Sequence, residues 1–374
     1  MKIAVITMHA ARNYGAVLQT YALQKYLEDK GAQVTIVDYR RKNQKLVGYL
    51  LNVNTKFRSS KLKSLLFIAK TFIPKLCTSR LFSQFLYRKI HLSCPINQGD
   101  NISDVVQADI YCTGSDQVWN PLANSGFDPM FFIVGCNPKV SYAASIGLHS
   151  LGEEYHEEMK KYLETYKAIS IREQSSVQIL DKLGFSAECV LDPSLLLTKA
   201  DWDRFKVERK GLPIKFLLVY YFGNTASIMQ KAAKIAKEKQ ARILRISVGF
   251  ESYKEDDIVL RYPTPEEFVG LFSKASFVLT NSFHGTAFSI NYGVDFLAYP
   301  TTENNARFDS ILDMFNLQTR NLRNISDAVL AAKGGIDWNA VNQELEVRRK
   351  LSYQYIEKIF YNHETRSIYN TLFW

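Results

Sequence analysis

The stretch KIAVITMHAARNYGAVLQTYALQKYLEDKGAQVTIVDY, residues 2–39, decides the fold. KIAVITM (2–8) is an apolar run of strand length. Leu18, Ala22, Leu23, Tyr26 and Leu27 then recur at helical spacing and make one apolar face. Gly31 ends that helix, and QVTIVDY (33–39) is the next strand. Strand, helix, strand in this order is the parallel β-α-β unit.

The same alternation continues outward. DIYCTG (109–114), KVSYAAS (139–145), AISIRE (168–173) and ECVLDP (188–193) read as further strands, with helices predicted over 153–166 and 175–183. KVERKGLPIK (206–215) reads as a linker, and the pattern restarts with FLLVYYFG (216–223), a helix over 226–239 and ARILRISV (241–248). A helix over 264–275, the strand SFVLTNS (276–282), a helix after His284 and the strand DFLAYP (295–300) complete it. The predicted architecture is α/β, with two Rossmann-like doubly wound domains facing a cleft, residues 1–205 and 206–374. A last helix, roughly 341–361, is placed to pack back on the first domain.

The 374 residues carry 47 Lys and Arg against 37 Asp and Glu, a formal net charge of +10. Thirteen of those cations and no acid fall between Arg40 and Ile90. The remainder therefore holds 34 basic and 37 acidic residues, so the whole excess belongs to this segment. Leu62, Leu65, Leu66, Ile68 and Ala69 recur there at helical spacing, interrupted at Pro74. The reading is a basic helical insertion at about 40–90. It faces an anionic membrane surface or a lipid-linked acceptor, or else packs its apolar face on the domain and leaves a solvated basic face. No nucleic-acid motif accompanies the charge, so nucleic acid is not the expected partner. Five cysteines (Cys77, Cys94, Cys112, Cys136, Cys189), without a C-x-x-C or a Cys/His cluster, point to a reduced compartment and no structural zinc. The start lacks the features of a signal peptide, and no stretch of about 18 apolar residues occurs. The expected location is the cytoplasm, with peripheral contact at the inner face of a membrane.

Ligands of open α/β sheets sit beyond the carboxyl ends of the strands, and with two such halves in the cleft between them. Four loops are thereby selected. After the first strand, Asn13 and Gly15 open a helix whose first-turn N–H groups suit an anion; alternatively the turn only reverses the chain. This is not G-x-G-x-x-G, and although Asp38 comes close to a ribose-binding acid, a dinucleotide is not expected. After DIYCT, the small Gly-Ser turn of GSDQVWNP (114–121), with Ser115, leads to Asp116, Gln117, Trp119 and Asn120, a carboxylate, amides and an indole crowded at one strand end; alternatively Asp116 is a helix cap. Arg172 follows the apolar strand AISI and suits bidentate capture of carboxylate or phosphate, or else forms an internal ion pair.

The sharpest signal is NSFHGTAFSINYG (281–293). His284 starts a helix beside Ser282, Gly285 and Thr286, placed for proton transfer or phosphate binding. His9 lies at the first strand end, and His91, His149, His156 and His363 read as surface or core. Arg307, at the start of a helix in NNARFDSILDMFNL, is a second anion ligand candidate.

These pieces resemble the polysaccharide pyruvyl transferase family. RNYGAVLQTYALQKYL, GSDQVWNP, SYAASIG, ISIREQSSVQIL, LDPSLLL, LVYYF, TNSFHGTAFSI and ARFDSILDMFNL run in family order, with Arg320 just after. The resemblance implies a GT-B-like fold and transfer of pyruvate from phosphoenolpyruvate to a sugar as a ketal across two hydroxyls, in surface polysaccharide assembly. It associates His284 and Arg172 with the donor and Asp116 with acid or base work. The implied partners are phosphoenolpyruvate and a sugar or lipid-linked oligosaccharide. No cofactor and no metal ligands are expected. A nucleotide-sugar glycosyltransferase and a non-catalytic anion-binding protein of the same fold are the alternatives.

Overall fold

The β-α-β unit read at 2–39 forms one edge of a five-stranded parallel sheet in the computed structural model. That structure describes residues 1–53, 60–223, 226–247, 258–300, 306–323 and 328–361; His363 and residues 54–59 of the basic segment lie outside it. The first sheet comprises β1 (Lys2–Ile6), β2 (Gln33–Ile36), β3 (Ile110–Thr113), β4 (Lys139–Ser141) and β5 (Tyr166–Ala168) in the order β2-β1-β3-β4-β5. A short parallel pair follows, β6 (Ser170–Ile171) on β7 (Glu188–Cys189). The second sheet comprises β8 (Phe216–Tyr220), β9 (Arg242–Ser247), β10 (Ile258–Arg261), β11 (Phe277–Thr280) and β12 (Phe296–Ala298) in the order β10-β9-β8-β11-β12, again all parallel. Both orders are doubly wound, and each reverses direction beside its first strand.

The helix Tyr14–Asp29 is buried over Leu18, Ala22, Leu23, Tyr26 and Leu27, the face its periodicity gives. Asn13 caps it, accepting from the Ala16 N–H at 2.8 Å. One apolar core runs through both halves, including Val17, Trp202, Phe268 and Phe288. Tyr14 ties them directly: its ring stacks on Phe268 at 4.3 Å, and its hydroxyl donates to the Pro263 carbonyl at 2.7 Å. The last helix, Trp338–Ile356, lies against the first half. Tyr355 donates to the Ser141 carbonyl, Tyr353 to Leu196, and Ser352 accepts from the Leu191 N–H.

Three local expectations are corrected. The helix Lys61–Lys89 runs unbroken through Pro74; Thr71 and Thr78 bond back to the Phe67 and Pro74 carbonyls on either side, bracketing the one helical bond a proline removes. The helix expected over 153–166 is shorter, His156–Leu163 after a turn of 3-10 helix, because Tyr166 is needed in β5 beside Lys139. AISIRE is not one strand: β5 ends at Ala168, and Ser170–Ile171 leaves the main sheet to pair with β7.

Candidate active site

Five strand ends converge on one place. Gly15 follows β1, Asp116 follows β3, Arg172 follows β6, Asp192 follows β7 and His284 follows β11. The register of β6 on β7, Ile171 opposite Cys189, sends the next residues of both strands out at the same end. That is how Arg172 and Asp192, twenty residues apart, meet.

Asp192 is the hub. Its Oδ2 accepts from Arg172 Nη1 at 2.7 Å and from Ser115 Oγ at 3.0 Å, and lies 3.7 Å from His284 Nε2. Its Oδ1 accepts from the Ser194 N–H and hydroxyl, so the residue also caps the helical turn Pro193–Leu196. Burial opposes ionisation of this carboxyl, but His284, Arg172 and Ser194 outweigh it and hold it at about 2.

Arg172 is almost entirely buried. Nε donates to Glu173 at 3.3 Å, Nη1 to Asp192, and the guanidinium sits 4.3 Å over the Phe283 ring. Its remaining Nη2 forms only a long ion pair with Asp116 Oδ1 at 3.8 Å, beyond hydrogen-bond reach, and has no hydrogen-bond partner. Burial disfavours its charge, while Asp192, Glu173 and Asp116 overcome that and raise its pKa. Glu173 itself is held by Ser145 and Ser176. The side chain thus forms the internal ion pair and still keeps one N–H edge without a hydrogen-bond partner.

His284 is buried at the start of the helix Phe283–Tyr292, which Ser282 caps by accepting from the Gly285 N–H. Its ring lies on Gly15: a Cβ there would stand 2.0 Å from Nδ1. Nε2 has no hydrogen-bond partner. Burial lowers the His284 pKa, Asp192 and Asp116 push it up, and Arg172 and Arg307 push it down. Arg307, in the helix Ala306–Met314, is close enough to Arg172 that burial and that like charge together lower its pKa, and its Nε is also buried without a partner.

Asp116 adopts φ 76°, the left-handed region, with its carboxylate accepting from the Gln117 N–H at 2.9 Å. Such backbone strain belongs to sites that the surrounding structure over-determines. Arg41, from the basic segment, is half-buried beside Asp128 and within electrostatic reach of Asp116.

The other candidates are placed differently. The side chain of Asn13 is spent as a cap, and the His284 ring covers the turn where an anion was expected. Thr286 is fully buried and donates to the Ser282 carbonyl. Gly285 has a packing reason, since a Cβ would stand 2.4 Å from Thr280 Oγ1. Trp119 is core, donating to the Phe131 carbonyl, and Asn120 is a cap. Asp38 is taken by buried His9 at 3.0 Å and by Arg40 at 2.6 Å. Asp192 and Glu173 were missed as site residues; the Asp-Pro of LDPSLLL announces a helix start but says nothing of Arg172. Among the described residues, no group of three His, Cys, Asp or Glu side chains could hold a metal ion.

The arrangement offers two guanidinium N–H donors and an imidazole nitrogen without hydrogen-bond partners, beside a carboxylate on a left-handed backbone. It can hold a small anion and move protons next to it. The family model of polysaccharide pyruvyl transferases matches residues 13–302. No curated protein matches the chain. Among solved structures it is similar to the UDP-GlcNAc 2-epimerase from Methanocaldococcus jannaschii, at 11% identity over 94% of this chain and 100% of that one, with a TM-score of 0.48. It is also similar to the spinosyn forosaminyltransferase SpnP, at 11% identity over 94% and 95%, with a TM-score of 0.47.

Proposed function

Because the chain belongs to the polysaccharide pyruvyl transferase family, we propose that it transfers pyruvate from phosphoenolpyruvate to a pair of hydroxyls on a sugar or lipid-linked oligosaccharide, in surface polysaccharide biosynthesis. One observation carries this reading. Arg172 Nη2, Arg307 Nε and His284 Nε2 are buried nitrogens lacking hydrogen-bond partners. An unmade hydrogen bond at a buried polar group costs on the order of 1–3 kcal/mol, so two guanidinium donors and an imidazole nitrogen in one cluster favour a multiply charged anion such as a carboxylate with a phosphate.

In the proposed reaction a proton adds to the methylene carbon of the donor, and the electron pair of the C=C bond leaves C2 with oxocarbenium character. A sugar hydroxyl oxygen bonds to C2 and gives up its proton to a base. The C2–O bond to phosphate then breaks, the pair leaving with phosphate. A second hydroxyl adds to C2, its proton passing to the released phosphate, and a ketal with a methyl and a carboxylate group results. His284 is neutral at rest because burial depresses it. The bound dianionic phosphate raises its basicity, so His284 is the acid and Asp116 the base. Arg172 and Arg307 bind the donor, and no cofactor takes part beyond it. Ser115 fixes Asp192 rather than the donor, and Ser282 and Gly285 shape the turn that carries His284.

The test is product analysis with purified protein and an acceptor panel. Phosphate release that depends on acceptor, with a ketal on the sugar by mass, is expected. Release of nucleotide from a nucleotide-sugar, and none of phosphate from phosphoenolpyruvate, would overturn the reading.

A further inference from the structure

The helix Lys61–Lys89 divides at Thr78. From there to its end, Thr78, Ser79, Phe82, Phe85 and Leu86 are buried, and the last three belong to the main core. Before it, from Lys61 to Cys77, no side chain is buried. Yet this outer half is not polar. Leu62, Leu65, Leu66 and Ile73 are each more than 60% exposed. With exposed Ala69 they recur at i, i+3, i+4, i+7 and i+11, which is a single stripe along an α-helix. Exposed Lys63 and Lys70 follow one edge of that stripe, and exposed Lys61 borders the other.

The short helix Leu46–Leu51 is fastened to the same half: Lys75 Nζ donates to the Leu50 and Asn52 carbonyls at 3.2 and 2.6 Å. It brings exposed Leu46, Val47 and Leu51. In all, nine of the seventeen exposed large apolar side chains among the described residues lie between Leu46 and Tyr87. The apolar face that could have packed on the domain therefore packs only over its inner half.

We propose that the Lys61–Cys77 half of this helix is a docking surface for an anionic lipid bilayer, lying flat with its leucine stripe among the acyl chains and its lysines at the headgroups. The charge selects this occupant. A second copy would set the same cations against each other, because the 40–90 segment holds thirteen Lys and Arg and no acid that could pair with them. A headgroup layer supplies negative charge on both sides of the stripe and hydrocarbon beneath it. Lysine stems reach from the apolar edge to the phosphate level. Among the described residues no helix is long and apolar enough to cross a membrane, so the contact is peripheral. The inference is independent of the transfer reading: Asp116, Arg172 and His284 play no part in it.

The test uses the full chain and sedimentation with vesicles of phosphatidylglycerol and phosphatidylcholine, against phosphatidylcholine alone, at low and high salt. Binding to the anionic vesicles at least tenfold tighter than to the neutral ones, and weakened by salt, is expected. The triple variant Leu62→Glu, Leu66→Glu, Ile73→Glu should lose that binding at least tenfold with an unchanged thermal midpoint, since these side chains fill no core. A second variant, Lys61→Gln with Lys63→Gln, should lose mainly the preference for anionic vesicles. Failure to bind either vesicle at low salt overturns the proposal. So does a wild-type dimer, seen by light scattering, that the triple glutamate variant abolishes without any change in vesicle binding.

Discussion

The imidazole of His284, from the second half of the molecule, rests directly on the backbone of Gly15, from the first: a Cβ at residue 15 would lie 2.0 Å from Nδ1 and 2.4 Å from Cγ. No left-handed φ requires glycine there; close approach does. The ring is buried and anchored at a helix start, so it has little room to yield. Gly15→Ala should displace His284 and open the cleft. Overpacking of this kind costs about 1–3 kcal/mol of stability, whereas turnover should fall about 100-fold or more, as it does when a proton donor is misplaced. Thermal denaturation and steady-state rates on the same preparation check it. An alanine variant with full turnover would remove the ring from the reaction.

Arg172 holds a buried ion-pair network and, in the proposed reaction, binds the donor, so two substitutions are needed. Arg172→Ala leaves Asp192 and Glu173 buried without their cation and should destabilise by about 3–5 kcal/mol. Arg172→Lys keeps the charge near Asp192 but loses the planar fork and with it the unpartnered Nη2. The lysine variant should stay folded and lose donor affinity at least tenfold, measured by calorimetry with phosphoenolpyruvate. Wild-type affinity in it would make Arg172 purely structural.

Much of this was legible in the residues, and the failures have physical causes. Parallel strands buried on both faces read as continuous apolar runs, which is why β1, β3, β8 and β11 are plain in the chain. His284 was legible because a buried strand ran straight into it. The short pair β6 and β7 was not, since two-residue strands have no periodicity. Asp192 went unread for the same reason: its importance arises from a register that sets Cys189 opposite Ile171, and register is a long-range property. Gly15 reads from the sequence as an anion-binding turn or a mere chain reversal, because nothing in a sequence says that a ring from 269 residues away will cover it. Pro74 misled in the opposite direction, as a helix held by packing on its inner half tolerates the loss of one bond.

Asp116 sits at φ 76°, and asparagine tolerates that region as well as aspartate does. Asp116→Asn should therefore keep the backbone and the bond from Gln117 while removing the proposed base. Turnover should fall about 10² to 10⁴-fold, the usual worth of a proton-transfer group, with donor affinity within about twofold of wild type. Presteady-state phosphate release separates the two. A variant altered only in donor affinity would make Asp116 a binding residue.

The Asp192 carboxyl, held at about 2 against an ordinary 3.8, is depressed in the folded state. A depressed acid adds stability that is present above its ordinary pKa and lost as pH falls through the folded one. The wild type should therefore lose stability between about pH 4 and pH 2. Asp192→Asn should be less stable at neutral pH by about 3 kcal/mol, because Arg172 loses its partner, and should lack that acid step. Urea unfolding across pH checks both; parallel profiles would deny the pairing its energetic role.

Burial depresses His284 below the ordinary histidine value, and the two arginines add to the effect. The sign for stability follows as for any depressed base: its contribution is full above about 6.5 and is lost as pH falls toward the folded value. Binding runs the other way. A donor bearing phosphate and carboxylate brings negative charge to Nε2 and favours the imidazolium, so the complex holds a proton that the free protein does not. Donor affinity should consequently weaken as pH rises through neutrality, by up to about tenfold per unit while the free ring is neutral and the bound ring charged. The donor phosphate titrates in the same range, so the informative quantity is the difference between the wild type and His284→Gln. Calorimetry in buffers of unlike ionisation enthalpy should show more proton uptake by the wild type than by the glutamine variant, whose affinity profile should follow the donor alone. Equal uptake in both proteins would mean that His284 stays neutral in the complex, and the acid would then have to be sought elsewhere in the cluster.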